Sequence, residues 1–325
     1  MKPKVVILDA GTLNFSREEP WAPLAELAEV TRHDHTEPAQ EAIVERCAEA
    51  DVVITNKVPF DAATLEALPQ LKLITLLATG YNNIDTATAR ERGITVCNVP
   101  GYGNESVAQH TLALILELCN RVGDHAASVR AGDWVRSLHI CYWLQAPREL
   151  AELTVGLVGL GEIGRAVAER LLPFGCRLLA FTPSKRRGLD HPRFAWAGSM
   201  EELFEQSDIV SLHCPQTPTN AGFVNADLLA RMKPGSYLIN TARGTLVNEA
   251  DLAKALQDGP LAAAALDVVA KEPMQAGHPL QNLPNVYMTP HLAWASEPAR
   301  LRLLTVTADN LRAFLAGKPQ NVVNA

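Results

Sequence analysis

Residues Leu153 to Gly188 read LTVGLVGLGEIGRAVAERLLPFGCRLLAFTPSKRRG. The run opens with Thr154 to Val158, short, apolar and β-branched enough for a buried strand. Gly159, Gly161 and Gly164 follow in G-x-G-x-x-G spacing, then a helical pattern from Arg165 to Pro173 and a second apolar run from Cys176 to Phe181. Strand, glycine turn, helix and strand are the context in which that spacing has a mechanical meaning. The first glycine permits a tight turn, the second lets backbone approach a pyrophosphate, and the third lets helix pack closely on strand. The pyrophosphate would rest on N–H groups at the helix N-terminus, where the dipole favours negative charge. The stretch therefore predicts a dinucleotide-binding unit within a parallel sheet.

Outward from it, the bulk properties narrow the class. At 325 residues the chain is comfortable for two domains. A net charge of −7 provides no basic surface for nucleic acid. No apolar run approaches the roughly 18–20 residues needed to span a bilayer, so no membrane partner is expected. Met1-Lys2-Pro3-Lys4 leads directly into the strand-like Val5–Leu8, without a signal peptide's cleavage region. Cys47, Cys97, Cys119, Cys141, Cys176 and Cys214 are scattered, with no C-x-x-C pair. Reduced thiols and a cytoplasmic location are the expectation. No metal site is expected, and His33-Asp34-His35 reads as a solvated edge.

The first hundred residues alternate strand and helix signals. Val5–Leu8, Val30–Asp34, Asp51–Thr55, Leu73–Leu77 and Ile94–Cys97 read as strands, and Trp21–Glu29, Glu41–Ala50 and Thr64–Leu68 as helices. Such alternation predicts a parallel sheet covered on both faces, with ligands beyond the carboxyl ends of its strands. Asn56, Lys57 and the loop Ala78-Thr79-Gly80-Tyr81 fall at those ends. A glycine after a buried strand frees backbone N–H groups to meet an anion. Asn98–Gly103 reads as a crossing between domains and Glu105 to about Val122 as a long helix. Arg130–Glu152 is irregular, and its Trp134, Tyr142 and Trp143 suit packing on a partner subunit. Beyond the opening stretch, strands end in His213-Cys214-Pro215, Thr241-Ala242-Arg243-Gly244, Asp267 and Thr289-Pro290-His291. A helix covers Asn248–Gln257, and a terminal one Glu297–Leu315.

Arg243, Glu272 and His291 each follow a strand of the dinucleotide-binding half and so belong to one edge. An arginine can hold an α-keto acid by paired hydrogen bonds to carboxylate and carbonyl oxygen. A histidine can deliver or remove a hydroxyl proton near neutral pH, and a carboxylate beside it fixes its tautomer and stabilises the imidazolium. With a nicotinamide alongside, these groups suffice for hydride transfer between a 2-hydroxy acid and a 2-oxo acid.

Several stretches together, Val210–Thr217, Met232–Gly235, Thr241–Gly244, Leu266–Pro273 and Thr289–Trp294, resemble the signatures of the D-2-hydroxyacid dehydrogenases, in order along the chain. The resemblance implies an α/β architecture of two doubly wound parallel-sheet domains. A flavodoxin-like substrate domain, residues 1–99 and 294–325, would clasp a Rossmann cofactor domain, residues 100–293. It implies Arg243, Glu272 and His291 as the catalytic triad. Cofactor contacts would fall on Glu162, Ile163, Thr182, His213, Cys214, Pro215, Thr217, Thr241, Ala242, Arg243 and Asp267. The substrate carboxylate would lie on N–H groups of Thr79 and Gly80, near Asn56, Lys57, Arg243 and His291. It also implies a homodimer. Thr55–Pro59, Ala78–Asn83 and His291–Trp294 look most like the glycerate dehydrogenase (hydroxypyruvate reductase) branch, acting on hydroxypyruvate or glyoxylate. The rival readings are a non-enzymatic, dinucleotide-sensing interaction protein on the same scaffold, or a dehydrogenase acting on phosphite or D-lactate.

The second strand of the opening stretch should name the cofactor. Folds that use NAD usually end that strand in Asp or Glu, which bonds the adenosine ribose hydroxyls. Here Thr182 stands there, followed by Pro183-Ser184-Lys185-Arg186-Arg187. A missing acid removes repulsion from a 2′-phosphate, and Ser184, Lys185 and Arg186 could bind one. The expectation is NAD(P), with NADP(H) favoured.

Overall fold

The computed structural model describes residues 2–15, 17–183 and 188–325; Ser184, Lys185 and Arg186 lie outside the described residues. The chain divides into two units, Met1–Gly103 with Ala295–Ala325, and Asn104–Trp294.

Five parallel strands organise the first unit: β1 (Lys4–Ile7), β2 (Glu29–Arg32), β3 (Val52–Thr55), β4 (Leu73–Leu76) and β5 (Thr95–Cys97). Their order, β2-β1-β3-β4-β5, is that of flavodoxin-like sheets. β3 and β4 are buried at every residue, as apolar strands are when helices cover both faces. β2 is largely exposed and carries charge at both ends, as an edge strand can. The opposite edge is closed by Asn324, whose Oδ1 accepts from Val96 N and whose Nδ2 donates to Ile94 O, both at 2.8 Å. The helix Glu297–Leu315 is capped by Ser296 and turns Leu303, Leu304, Thr307, Ala308 and Leu311 inward.

The second unit holds seven parallel strands: β6 (Thr154–Val158), β7 (Arg177–Phe181), β8 (Phe194–Trp196), β9 (Ile209–Leu212), β10 (Ser236–Asn240), β11 (Leu261–Leu266) and β12 (Val286–Met288). They run β12-β11-β10-β9-β6-β7-β8, the Rossmann order extended by one strand. From the β6–β9 pair the chain winds out in both directions, so that pair is the switch point where such sheets bind ligands. Side chains alternate faces along each strand. Leu157, Ile209, Tyr237, Ala263 and Ala265 enter one core with Ala108 and Ile115, while Val158, Val210, Leu238, Ala264 and Leu266 enter another with Phe204, Leu229 and Leu252. Alanine has little intrinsic preference for strands. In β11, Leu-Ala-Ala-Ala-Ala-Leu, the small side chains let the helix Asn104–Asn120 lie close on the sheet.

Some boundaries differ from the sequence reading. The helix after the glycines spans Glu162–Leu171 rather than beginning at Arg165, because Gly164 sits inside its first turn. The long helix stops at Asn120, where Arg121 takes φ +51, and Val122–Arg130 starts a separate helix. The segment read as irregular contains a turn of α-helix, Asp133–Arg136, and a 3₁₀ turn, Leu150–Glu152. Four short elements carry too little periodicity to be seen: Thr86–Glu91, Phe194–Trp196, Met200–Gln206 and Ala226–Ala230. Their helices start at Asp85, Ser199 and Asn225, whose side chains accept first-turn N–H groups.

Candidate active site

The glycine turn after β6 has three different environments. A Cβ on Gly159 would lie 2.7 Å from His213 O, and its φ is +99. A Cβ on Gly164 would lie 2.2 Å from Gly159 O. Both therefore need to be glycine for packing. Gly161 is the reverse case: a Cβ there would meet nothing within 4 Å. Gly161 is also the N-cap of Glu162–Leu171 and supplies no side-chain cap. Uncapped N–H groups beside open space, at the positive end of a helix dipole, suit a pyrophosphate. Glu162 is tied by Asn104 Nδ2 at 2.7 Å, and Ile163 packs against the core. Thr182 is the residue just beyond β7, half-buried, and Phe181 O accepts from Gly159 N at 2.8 Å.

The end of β9 lies beside that turn, and the end of β10 one strand further along the sheet. His213 Nε2 is paired with Ser211 Oγ at 2.9 Å, and burial pushes the imidazole down to about 4. Cys214 is half-buried, and burial raises its thiol. Pro215 O accepts from Asn220 Nδ2, and Thr217 N donates to Asn220 Oδ1, which closes the 215–220 turn. At the end of β10, buried Asn240 donates to Arg243 O at 2.9 Å and accepts from Ala242 N at 3.0 Å. Thr241 Oγ1 bonds Thr111 Oγ1 at 2.9 Å on the neighbouring helix. These bonds fix the backbone from 240 to 243 and leave the Arg243 side chain exposed.

Glu272 and His291 are brought together, Oε2 to Nδ1, at 2.6 Å. Nδ1 is thereby the proton donor to the carboxylate, and Nε2 is the ring atom left for exchange with a substrate. His291 itself sits at φ +53, a left-handed conformation rare for a residue with a side chain. It is held there by Asp267, whose carbonyl accepts from His291 N at 2.8 Å. The Asp267 carboxylate, 2% exposed, accepts from Thr289 Oγ1, Leu292 N and Ala293 N. Asp267, read from sequence as a cofactor contact, anchors the histidine loop.

In the first unit, Asn56 is buried; its N–H donates to Asp9 and its Nδ2 to Thr12 Oγ1 at 3.3 Å. Lys57 N donates to Asp9 Oδ2 at 2.7 Å while its side chain is exposed. Thr79 is exposed and locked by its hydroxyl to Val99 O and by its carbonyl to Asn98 Nδ2, with half-buried Gly80 next to it.

Residues 112–293 match the family described as D-isomer specific 2-hydroxyacid dehydrogenase, NAD binding domain. The chain belongs to this family. It is 41% identical over 327 residues to a glycerate dehydrogenase of Methylorubrum extorquens, covering 100% of both chains. It is 39% identical over 322 residues to a hydroxypyruvate reductase of Blautia hydrogenotrophica, covering 99% of each. The crystal structure of an NADPH-dependent glyoxylate/hydroxypyruvate reductase from Sinorhizobium meliloti superposes with a TM-score of 0.85 at 30% identity, over 99% of this chain and 98% of that one. This dehydrogenase is therefore an NAD(P)-dependent oxidoreductase. Among its described residues, no helix is long and apolar enough to cross a membrane.

Asn240, Glu249 and His278 were not singled out from the sequence. Asn240 ends β10, Glu249 opens a helix and His278 lies in the loop after β11; each is polar and buried or half-buried, and only that marks it.

The depressed His213 gives a pH dependence of stability. Unfolded histidine takes a proton below about pH 6.5, whereas folded His213 does so only near 4. The unfolded state therefore binds more protons in this window, and stability should fall as pH drops from 6.5 towards 4. His213→Gln should fall less between pH 7 and pH 5 in urea unfolding. Equal losses in both proteins would remove His213 as the source.

Proposed function

We propose that this dehydrogenase reduces hydroxypyruvate or glyoxylate, with D-glycerate or glycolate as product, and prefers NADPH to NADH. The observation that carries the chemistry is the His291–Glu272 pair at 2.6 Å, set at a strand end of the sheet that bears the glycine turn. Bound NADPH supplies the hydride that adds to C2 of the 2-oxo acid. Gly161, the N–H groups of Glu162–Leu171, and the strand ends at Thr182, His213–Pro215, Thr217, Thr241–Arg243 and Asp267 are assigned to holding it. The Arg243 guanidinium pairs with the carbonyl oxygen and carboxylate of the substrate and stabilises charge growing on oxygen. His291 Nε2 gives its proton to that oxygen, and in the oxidative direction takes it back. Glu272 keeps the proton on Nδ1 and steadies the imidazolium. In the first unit, the N–H groups of Thr79 and Gly80 and the Lys57 ammonium are assigned to the substrate carboxylate. Asn56, being buried, is assigned to shaping that loop.

Arg243→Ala and His291→Ala should each lower kcat/KM with a panel of hydroxypyruvate, glyoxylate and pyruvate by on the order of 10²–10³. Near-normal turnover in either would end the assignment. No oxidation of NADPH with any of these acids would instead favour a related dehydrogenase with a different substrate, such as phosphite.

Cofactor preference rests on Thr182 standing where NAD enzymes usually carry an acid. The 30%-identical reductase of Sinorhizobium meliloti is itself NADPH-dependent. Lys185→Ala with Arg186→Ala should raise KM for NADPH about 10-fold or more and leave KM for NADH nearly unchanged. A wild-type preference for NADH would overturn it.

We also assign a homodimer in the cytoplasm. Six cysteines without a disulfide suit a reducing compartment. Val135, Leu138 and Ile140 are 90%, 98% and 91% exposed, with Trp134, Trp143 and Leu144 also exposed nearby. An apolar arm of this size needs a partner, and a second copy of the chain presents the same arm. Light scattering should give twice the chain mass, and Leu138→Asp with Ile140→Asp should give the monomer. A monomeric wild type would refute the assignment.

A further inference from the structure

A second histidine–carboxylate pair, Glu249 and His278, places His278 on the loop that carries Glu272. Glu249, in the first turn of the helix Glu249–Gln257, accepts at Oε1 from Ala270 N at 2.7 Å and at Oε2 from His278 Nε2 at 3.0 Å. His278 Nδ1 accepts from Leu280 N at 3.3 Å, so its proton is on Nε2 and is the one donated to Glu249. The two bonds grip the loop at residues 270 and 278, on either side of Glu272. A third constraint acts just upstream: a Cβ on Gly244 would lie 1.9 Å from Val269 C, so the loop presses backbone to backbone on the turn that presents Arg243. Inside the loop, Val269 N donates to Glu272 Oε1 at 3.3 Å.

We infer that Glu249 is a positioning residue for the reaction, holding Glu272 in place for His291 through Ala270 and His278. The inference rests on the proposed roles of Glu272 and His291. Glu249 is suited to this because one carboxylate can accept both N–H groups at once. A glutamine offers one acceptor oxygen and must present its amide to the other donor. Glu249 also lies within a helix first turn, where its charge is favoured. The side chains of Glu249 and His278 are only 18% and 8% exposed, so this pair serves geometry and does not exchange protons with a substrate.

The test uses the full chain with NADPH and whichever panel acid gives the highest kcat/KM. Glu249→Gln should lower kcat about 10- to 100-fold, the scale of a small misplacement of reacting groups, with KM for the acid changed less than threefold. The primary isotope effect on kcat with 4-deuterated NADPH should rise, because the chemical step slows relative to product release. Partial unfolding would lower kcat without moving the isotope effect. His278→Ala should behave like Glu249→Gln, and His278→Gln, which retains an N–H donor, should recover most of the loss. In a Glu272→Gln background, Glu249→Gln should cost nothing further, since both act through one group. The proposal falls if Glu249→Gln keeps kcat within twofold while Glu272→Gln is slow, a result that leaves the triad reading standing. If Glu272→Gln is itself fast, the triad reading falls and this inference with it.

Discussion

A buried carboxylate at the end of a parallel strand, with its oxygens committed to backbone N–H groups of the next loop, is the constraint on which both units depend. In the second unit it is Asp267, which takes Leu292 N, Ala293 N and the Thr289 hydroxyl. In the first it is Asp9, which takes Asn56 N and Lys57 N. A charge removed from water is tolerated only when several donors surround it. That requirement runs in both directions: the carboxylate needs the loop, and the loop N–H groups have no cheaper acceptor. Burial raises Asp9 while its backbone hydrogen bonds lower it, a direct view of the two effects in opposition. The loops that present His291 and Lys57 are thereby fixed at one end by a bond that cannot be given up singly.

This anchoring explains how His291 keeps a left-handed backbone. The conformation costs on the order of 1–2 kcal/mol for an L residue. It persists because Asp267 O holds His291 N and the Asp267 side chain holds the following two N–H groups. Strain at one residue persists when its neighbours on both sides are over-determined.

The sequence exposes the two kinds of residue unequally. The sheets are legible because Val-Val-Ile-Thr at 52–55 and the run around Gly159 are short, apolar and punctuated, and such runs read as buried parallel strands. Arg243, Glu272 and His291 stand out because they are chemically distinctive and follow strands in sequence, and the structure joins two of them, Glu272 and His291. Asn240, Glu249 and His278 are not, because their residue types are common on surfaces and their importance lies in burial and in partners distant in sequence. Glu249 reaches Ala270 and His278 across 21 and 29 residues, a relation that no local pattern encodes. The short helices at Thr86–Glu91 and Ala226–Ala230 fail for another reason: about one turn of helix contains no period to detect. The end of the long helix at Asn120 is likewise invisible, since Arg121 gives no glycine or proline signal for its positive φ.

Two of the histidine–carboxylate pairs within the second unit differ in exposure and in how their nitrogens are occupied. His291 and Glu272 are joined at 2.6 Å with side chains 26% and 32% exposed, open enough for a small acid to reach the ring. His278 and Glu249 are joined at 3.0 Å with 8% and 18% exposure, and His278 spends both nitrogens on protein groups. On the proposed reading, the same two kinds of side chain serve as a proton carrier where they are open and as a clamp where they are enclosed. Proton transfer needs an unoccupied nitrogen facing the reactant, and mechanical support needs every nitrogen occupied. The loop from Asp267 to Leu280 carries members of both pairs, so the rigidity of one is transmitted over a few residues to the geometry of the other.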